Sequence, residues 1–123
     1  MTSHTIIAGV VICASVCAPP QQIKVWDGDT FRFGTETVRI LNIDAPEIKG
    51  RCDAERRQAL AAKLKLSQLL DNAGRVSIER SKRRDPYRRT LALVRVDGRD
   101  VGAILIENGL VRPWTGKRLP WCK

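Results

Sequence analysis

One long helical period interrupts an otherwise strand-like chain, and it fixes the order of the elements before composition is considered. From Asp53 onward, Ala59, Ala62, Leu66, Leu69 and Ala73 recur at spacings of three and four, which puts them on one helix face. Asp53 is suited to cap the start, and Gly74 stands where a stop is expected. Ahead of the helix, residues 23–26 and 30–33 are short runs of strand-forming residues separated by Asp27-Gly28, a tight-turn dipeptide. Residues 37–43 alternate as a third strand that ends before Pro46. Beyond the helix, residues 75–80 and 90–96 resume strand character, and Asp97-Gly98 marks another turn. Residues 101–108 are a short apolar helix closed by Gly109. The order β-β-β-α-β-β-α predicts an α+β, mainly β domain: a five-stranded, OB-like Greek-key barrel with two helices. Alternation alone suits an SH3-like barrel as well.

A chain of 123 residues holds one such core. Its 22 basic and 13 acidic residues leave a net charge of +9, and none of this charge lies in residues 1–20. Fifteen of the basic residues are arginines, whose planar forks match phosphate oxygens. Such a domain calls for a polyanionic partner. With only 5% aromatic residues it does not read as a base-stacking platform.

Residues 6–18 form an uncharged run of 13, short of the roughly 20 needed to span a bilayer. Its length and the small residues Ser15, Cys17 and Ala18 suit the apolar part of a secretory signal, which divides the chain into 1–18 and a single domain, 19–123. The expectation is export to a periplasmic or extracellular space. The competing reading is a cytoplasmic protein that keeps this segment as an N-terminal strand, since Ile6, Ile7, Val10, Val11 and Ile12 favour β structure. Cys13 and Cys17 would leave with a signal, and Cys52 and Cys122 would remain as an even pair. Neither has a second ligand pair at zinc spacing nearby, so a disulfide closing a loop of about 70 residues is expected in an oxidising compartment.

Two acidic clusters stand out, Asp27-Gly28-Asp29-Thr30 and Asp44-Ala45-Pro46-Glu47. Carboxylates at turns commonly cap nearby backbone. Two such clusters in a strongly cationic chain make sense on a polyanion-binding surface when a cation sits between them and the phosphate. Oxygen ligands without His or Cys favour Ca²⁺ or Mg²⁺. The only histidine is His4, which leaves no Ser-His or Cys-His nucleophile in residues 19–123.

Together with Arg39-Ile40-Leu41-Asn42-Ile43 ahead of the second cluster, and with Asp85-Pro86-Tyr87-Arg88-Arg89-Thr90-Leu91-Ala92, these blocks resemble those of the staphylococcal nuclease (thermonuclease) family, in the same order. Asp97-Gly98 and Glu107-Asn108-Gly109-Leu110 match as well, so the resemblance spans roughly residues 23–114. It implies that Asp29, Asp44 and the Ala45 carbonyl ligate Ca²⁺, and that Glu47 orients or deprotonates the attacking water. It implies further that Arg39 and Arg89 grip the scissile phosphate, with Asp27 as a supporting acid and Tyr87 beside the nucleotide phosphate. Several positions depart from the family pattern. Ala45 replaces a threonine, Pro86 a lysine and Arg88 a glycine, the last adding a cation beside Arg89. Two tyrosines of the binding site appear as Thr115 and Lys117, which leaves Trp114 as the candidate stacking residue, and the family's final long helix is not reached.

The implied activity is calcium-dependent hydrolysis of DNA, and of RNA, by a monomer without a protein partner or membrane span. The alternative is a non-catalytic nucleic-acid-binding barrel, against which stands the presence of all five acid and arginine positions. The basic run Arg80-Ser81-Lys82-Arg83-Arg84 and the group Arg51, Arg56, Arg57 read either as solvated surface or as phosphate contacts. Arg39 and Asp44 are five apart, so strict alternation sends them to opposite faces. They can serve one site only if a bulge or bend intervenes.

Overall fold

The structure, a computed structural model, describes residues 11–13 and 23–123. Its elements run β1 (Val11–Cys13), β2 (Ile23–Asp27), β3 (Thr30–Phe33), β4 (Glu36–Ile40), β5 (Ile43–Asp44), α1 (Asp53–Asn72), β6 (Arg75–Arg84), β7 (Thr90–Val96), β8 (Arg99–Asp100), α2 (Val101–Glu107) and β9 (Arg112–Pro113). Hydrogen bonding orders the main sheet β1-β6-β7-β4-β3-β2, with β8 on β7 and a separate β5-β9 pair. The path β2-β3-β4-β7-β6 contains the five expected strands in the OB-like order, antiparallel except where β4 runs parallel to β7. The domain is α+β and mainly β, with two helices. Its hydrogen-bonded path does not close into a ring among the described residues.

The expected N-terminal segment lies outside the described residues except for β1, which runs parallel to β6 with Val11 opposite Arg75. No helix among the described residues is long and apolar enough to cross a membrane.

The core is one apolar cluster between the sheet and α1. Phe31, Val38, Ile40, Val76 and Val94 come from alternate strand positions and Ala62, Leu66 and Leu70 from α1, with Val101 and Leu105 of α2 beside them. Burying side chains of this size contributes about 1.5–3 kcal/mol each, and packing at this density fixes the position of α1 against the sheet. The N-cap is Cys52, with no side-chain bond, and Asp53 is the first helical residue, paired instead with Arg56. The helix stops at an extended Ala73, beyond which Asp97 accepts from the amides of Gly74 and Arg75 (3.2 and 2.8 Å). The chain thus leaves the helix through an extended Ala73 rather than a left-handed glycine, and Asp97 of the β7–β8 turn holds the amides that follow.

Turn chemistry sets the hairpins β2–β3 and β7–β8. Gly28 and Asp29 form the turn between β2 and β3, one residue later than the Asp-Gly dipeptide suggests, because Asp27 pairs with Thr30 after a bulge. At Gly28 the demand is for space: a Cβ there would lie 2.6 Å from the Ala62 Cβ and 3.2 Å from the Ala45 Cβ. The β7–β8 turn does need positive φ, at Asp97 (51°) and Gly98 (81°). The basic run 80–84 continues β6 and is shifted in register against β7 between Arg80 and Arg84.

Candidate active site

The turn between β2 and β3 and the segment after β4 meet at one mouth of the sheet. Asp29, only 7% exposed, is wired into place from both sides. The Thr30 hydroxyl donates to its Oδ1 (2.8 Å) and the Ala45 amide to its Oδ2 (3.2 Å), so the first acid cluster is bonded directly to the backbone of the second. Asp44 is 2% exposed on β5. Both carboxylates face one cavity of about 490 Å³, shared with Asp27, Glu47, Arg39 and Arg89.

The bend that Arg39 and Asp44 require lies at Asn42, which adopts φ 71°, a left-handed conformation that asparagine tolerates better than most residues. It ends β4 at Ile40 and starts a new strand at Ile43, where alternation predicted one unbroken strand over 37–43. Arg39 is anchored across this bend by the carbonyls of Ile40 (2.6 Å) and Ile43 (2.9 Å). That leaves its Nη2 3.3 Å from Asp29 Oδ2.

Arg89 reaches the cavity from a turn organised by Asp85. One Asp85 oxygen accepts from the amides of Tyr87 (3.0 Å) and Arg89 (2.8 Å), and the other pairs with the Arg89 guanidinium. Burial pushes the Asp85 carboxyl up, but these bonds and the arginine charge outweigh it and hold the group below its usual range. Arg88 takes φ 62° in this turn, the conformation that explains why the family pattern has glycine there. Tyr87 is 79% exposed with Arg89 against its ring, and neither Tyr87 nor Arg88 lines the cavity. Trp114 does line it, held by its amide on the Asn42 carbonyl (2.9 Å), and so does Arg83 from the basic run.

Electrostatically the site is a carboxylate cage held together by guanidinium groups. Burial, with the carboxylate of Asp29 alongside, pushes the Asp27 carboxyl up to about 7. Asp44 has Arg118 at 3.2 Å and Arg112 at 3.5 Å. Arg118 also donates to the Ala45 carbonyl (3.3 Å) and lies 3.0 Å from Glu47. The donor set fits a hard dication: two buried carboxylates and a backbone carbonyl, all oxygen, on which a guanidinium already stands as the positive charge.

Three contributors escaped the sequence reading. Arg112 and Arg118 come from a tail without periodicity, so nothing in their spacing connects them with Asp44. Glu55 is buried at the third position of α1 and accepts from the amides of Glu47 (2.9 Å) and Arg51 (3.2 Å), fixing the loop that carries Glu47. Its signal was its place in the first helical turn, where carboxylates accept free amides. Cys52 and Cys122 are joined by a disulfide, with Cα atoms 6.0 Å apart across 70 residues. The grouping of these two sulfurs with Glu55 is therefore not a metal centre, and the nearby Cys122 sulfur has no proton to donate.

The family model described as staphylococcal nuclease homologue matches residues 37–118, more than half of the chain. The chain is 38% identical over 92 residues to the SPbeta prophage-derived endonuclease YokF of Bacillus subtilis, covering 70% of this chain and 31% of that protein. It is 37% identical over 92 residues to endonuclease YncB of the same organism, covering 70% and 43% respectively. The chain thus spans less than half the length of these curated relatives.

Proposed function

The chain belongs to the staphylococcal nuclease homologue family, and from that premise we propose that it is a calcium-dependent nuclease cleaving DNA, and RNA, by water attack on phosphorus. The observation that carries the reading is the convergence of Asp29, Asp44, Glu47, Arg39 and Arg89 on one cavity, from four separate segments. The names of the two relatives describe endonucleases, which supports the same reaction class.

Asp29, Asp44 and the Ala45 carbonyl would hold the ion, which when bound supplies positive charge beside the phosphate oxygens. Arg39 and Arg89 both line the cavity, and their forks meet the charge that builds on the non-bridging oxygens. Both are pinned by backbone carbonyls or by Asp85, so little reorganisation is needed as that charge develops. Glu47, whose side chain is 55% exposed, orients the water and takes its proton as the P–O ester bond breaks. The products are a phosphomonoester and, once the leaving oxygen has taken a proton from solvent water, an alcohol. Trp114 offers an exposed ring at the mouth for a base, while Arg83, Arg88 and Tyr87 flank the approach of the strand.

A disulfide is at home in an oxidising compartment, which supports export. We read the protein as a monomer.

The test is incubation of labelled single-stranded DNA with the protein, with and without a calcium chelator. Chelator-sensitive cleavage is expected; retardation without cutting would leave a binding barrel instead. Asp29→Ala and Glu47→Gln should each lose about a hundred- to thousand-fold in rate, and near-wild-type turnover in either would remove that residue's role.

A further inference from the structure

Arg118 presents a contradiction to the site just described. Its guanidinium rests on the same three groups that would meet the ion and the water: Asp44 Oδ1 at 3.2 Å, the Ala45 carbonyl at 3.3 Å and Glu47 Oε1 at 3.0 Å. We infer that Arg118 is a resident counter-cation that competes with the dication for this cage, and that the Cys52–Cys122 disulfide holds it there. The inference rests on the cation reading of the preceding section.

Three guanidinium groups touch the cage, and they differ in what else binds them. Arg39 is fastened by two backbone carbonyls and its side chain is 16% exposed. Arg112 is fastened by the carbonyls of Leu119 and Pro120 and lies 3.7 Å above the Trp121 ring. Both stay put whether or not an ion is present. Among the described residues, Arg118 is bonded to the cage alone, and its side chain is 44% exposed. It can leave without breaking any other contact.

What brings it there is the tail. Residues 118–122 fold back over the loop after β5 because Arg112 grips the two carbonyls and because Cys122 is bonded to Cys52 at the start of α1. The covalent tie raises the local concentration of a guanidinium at Asp44, as any short tether does. A dication on Asp44 and the Ala45 carbonyl would face this charge at contact distance, and like charges so placed disfavour joint occupancy. Ion binding therefore expels Arg118 from the acids and frees Glu47 for water. Reduction removes this tie while the Arg112 contacts keep the tail in place, so the guanidinium is held at Asp44 for less of the time and ion affinity becomes sensitive to the redox state of the disulfide.

The experiment is calorimetric titration of the full-length protein with CaCl₂, without nucleic acid. Arg118→Ala and Arg118→Gln should both bind Ca²⁺ about tenfold more tightly than the wild type, as expected for loss of a half-exposed ionic competitor. Reduction should shift the wild type in the same direction and leave Arg118→Ala unchanged. Equal or weaker binding in both variants overturns the competition while leaving the cation reading intact. An unchanged wild-type affinity on reduction overturns the role of the disulfide. No binding in any protein overturns the cation reading, and this inference with it.

Discussion

Removing the disulfide by Cys52→Ser and Cys122→Ser together should cost about 4 kcal/mol. The figure follows from the separation of 70 residues, for which loop closure removes about 15 cal/mol/K of entropy from the unfolded chain. The native side should change little, because the tail retains its other fastenings: Arg112 on the carbonyls of Leu119 and Pro120, and the Arg112–Trp121 stack. The loss therefore comes from the freedom gained by the unfolded chain, and it should appear as a lower denaturant midpoint and a melting temperature reduced by roughly 15 °C. Urea unfolding of the oxidised wild type and the double serine variant, monitored by far-UV circular dichroism, measures it. The urea slope should rise slightly in the variant, since its unfolded chain is more open. A cost below about 1 kcal/mol would refute the reasoning by showing that closure of this loop does not constrain the denatured ensemble. A changed native near-ultraviolet spectrum would instead place the effect in the folded state.

Gly28→Ala should destabilise by about 1–3 kcal/mol, because the added Cβ meets the short, stiff side chains of Ala62 and Ala45; an unchanged melting temperature would contradict it. Arg88→Gly should stabilise by up to about 1 kcal/mol by relieving a side chain held at φ 62°, as read in thermal unfolding, and a loss of stability would show that the arginine makes up for its backbone. The Arg80 fork, aided by the Thr90 hydroxyl, holds the Glu36 carboxyl below its usual 4.5. A folded-state pKa lowered in this way adds stability that is present above 4.5 and is lost as pH falls through the depressed value. Glu36→Gln should thus flatten the fall in urea midpoint between roughly pH 5 and 3, and equal slopes in the two proteins would discard this linkage.

The strands, the helices and their order were legible because short alternation and a single helical face survive in the bare chain. The strand–helix boundaries that slipped are those governed by partners distant in sequence. Residues 37–43 read as one strand because nothing in Ile40-Leu41-Asn42-Ile43 announces that Asn42 turns left-handed, although asparagine was the one residue there suited to it. Residues 75–80 were cut short because the polar end of β6 owes its strand form to pairing with β7 up to Thr90 rather than to apolar alternation. The acid clusters could be found from their spacing, and the structure brings both to one cavity. Arg112 and Arg118 could not, since each acts across the fold on Asp44, 68 and 74 residues away in the chain, whereas Glu55 acts on amides only eight and four residues away and its place in the first helical turn was the available signal.

The arginines show how charge composition can mislead. Fifteen arginines and a net charge of +9 read as a surface for phosphates. Yet at least seven of them, Arg39, Arg56, Arg80, Arg89, Arg95, Arg112 and Arg118, are within ion-pair distance of the protein's own carboxylates. Exposed pairs such as Arg56–Asp53 add little to stability, and charge count alone says nothing of them. The pairs around Asp29 and Asp44 are different, because two buried carboxylates facing one cavity repel unless positive charge is supplied. Arg39, Arg112 and Arg118 supply it from within the chain. On the inference above, Arg118, which alone of the three is bonded only to the cage among the described residues, also sets the terms on which an ion can enter, so at this residue the stability of the site and its affinity for a dication are opposed. A substitution of Arg118 should make the protein less stable without calcium and more strongly stabilised by it.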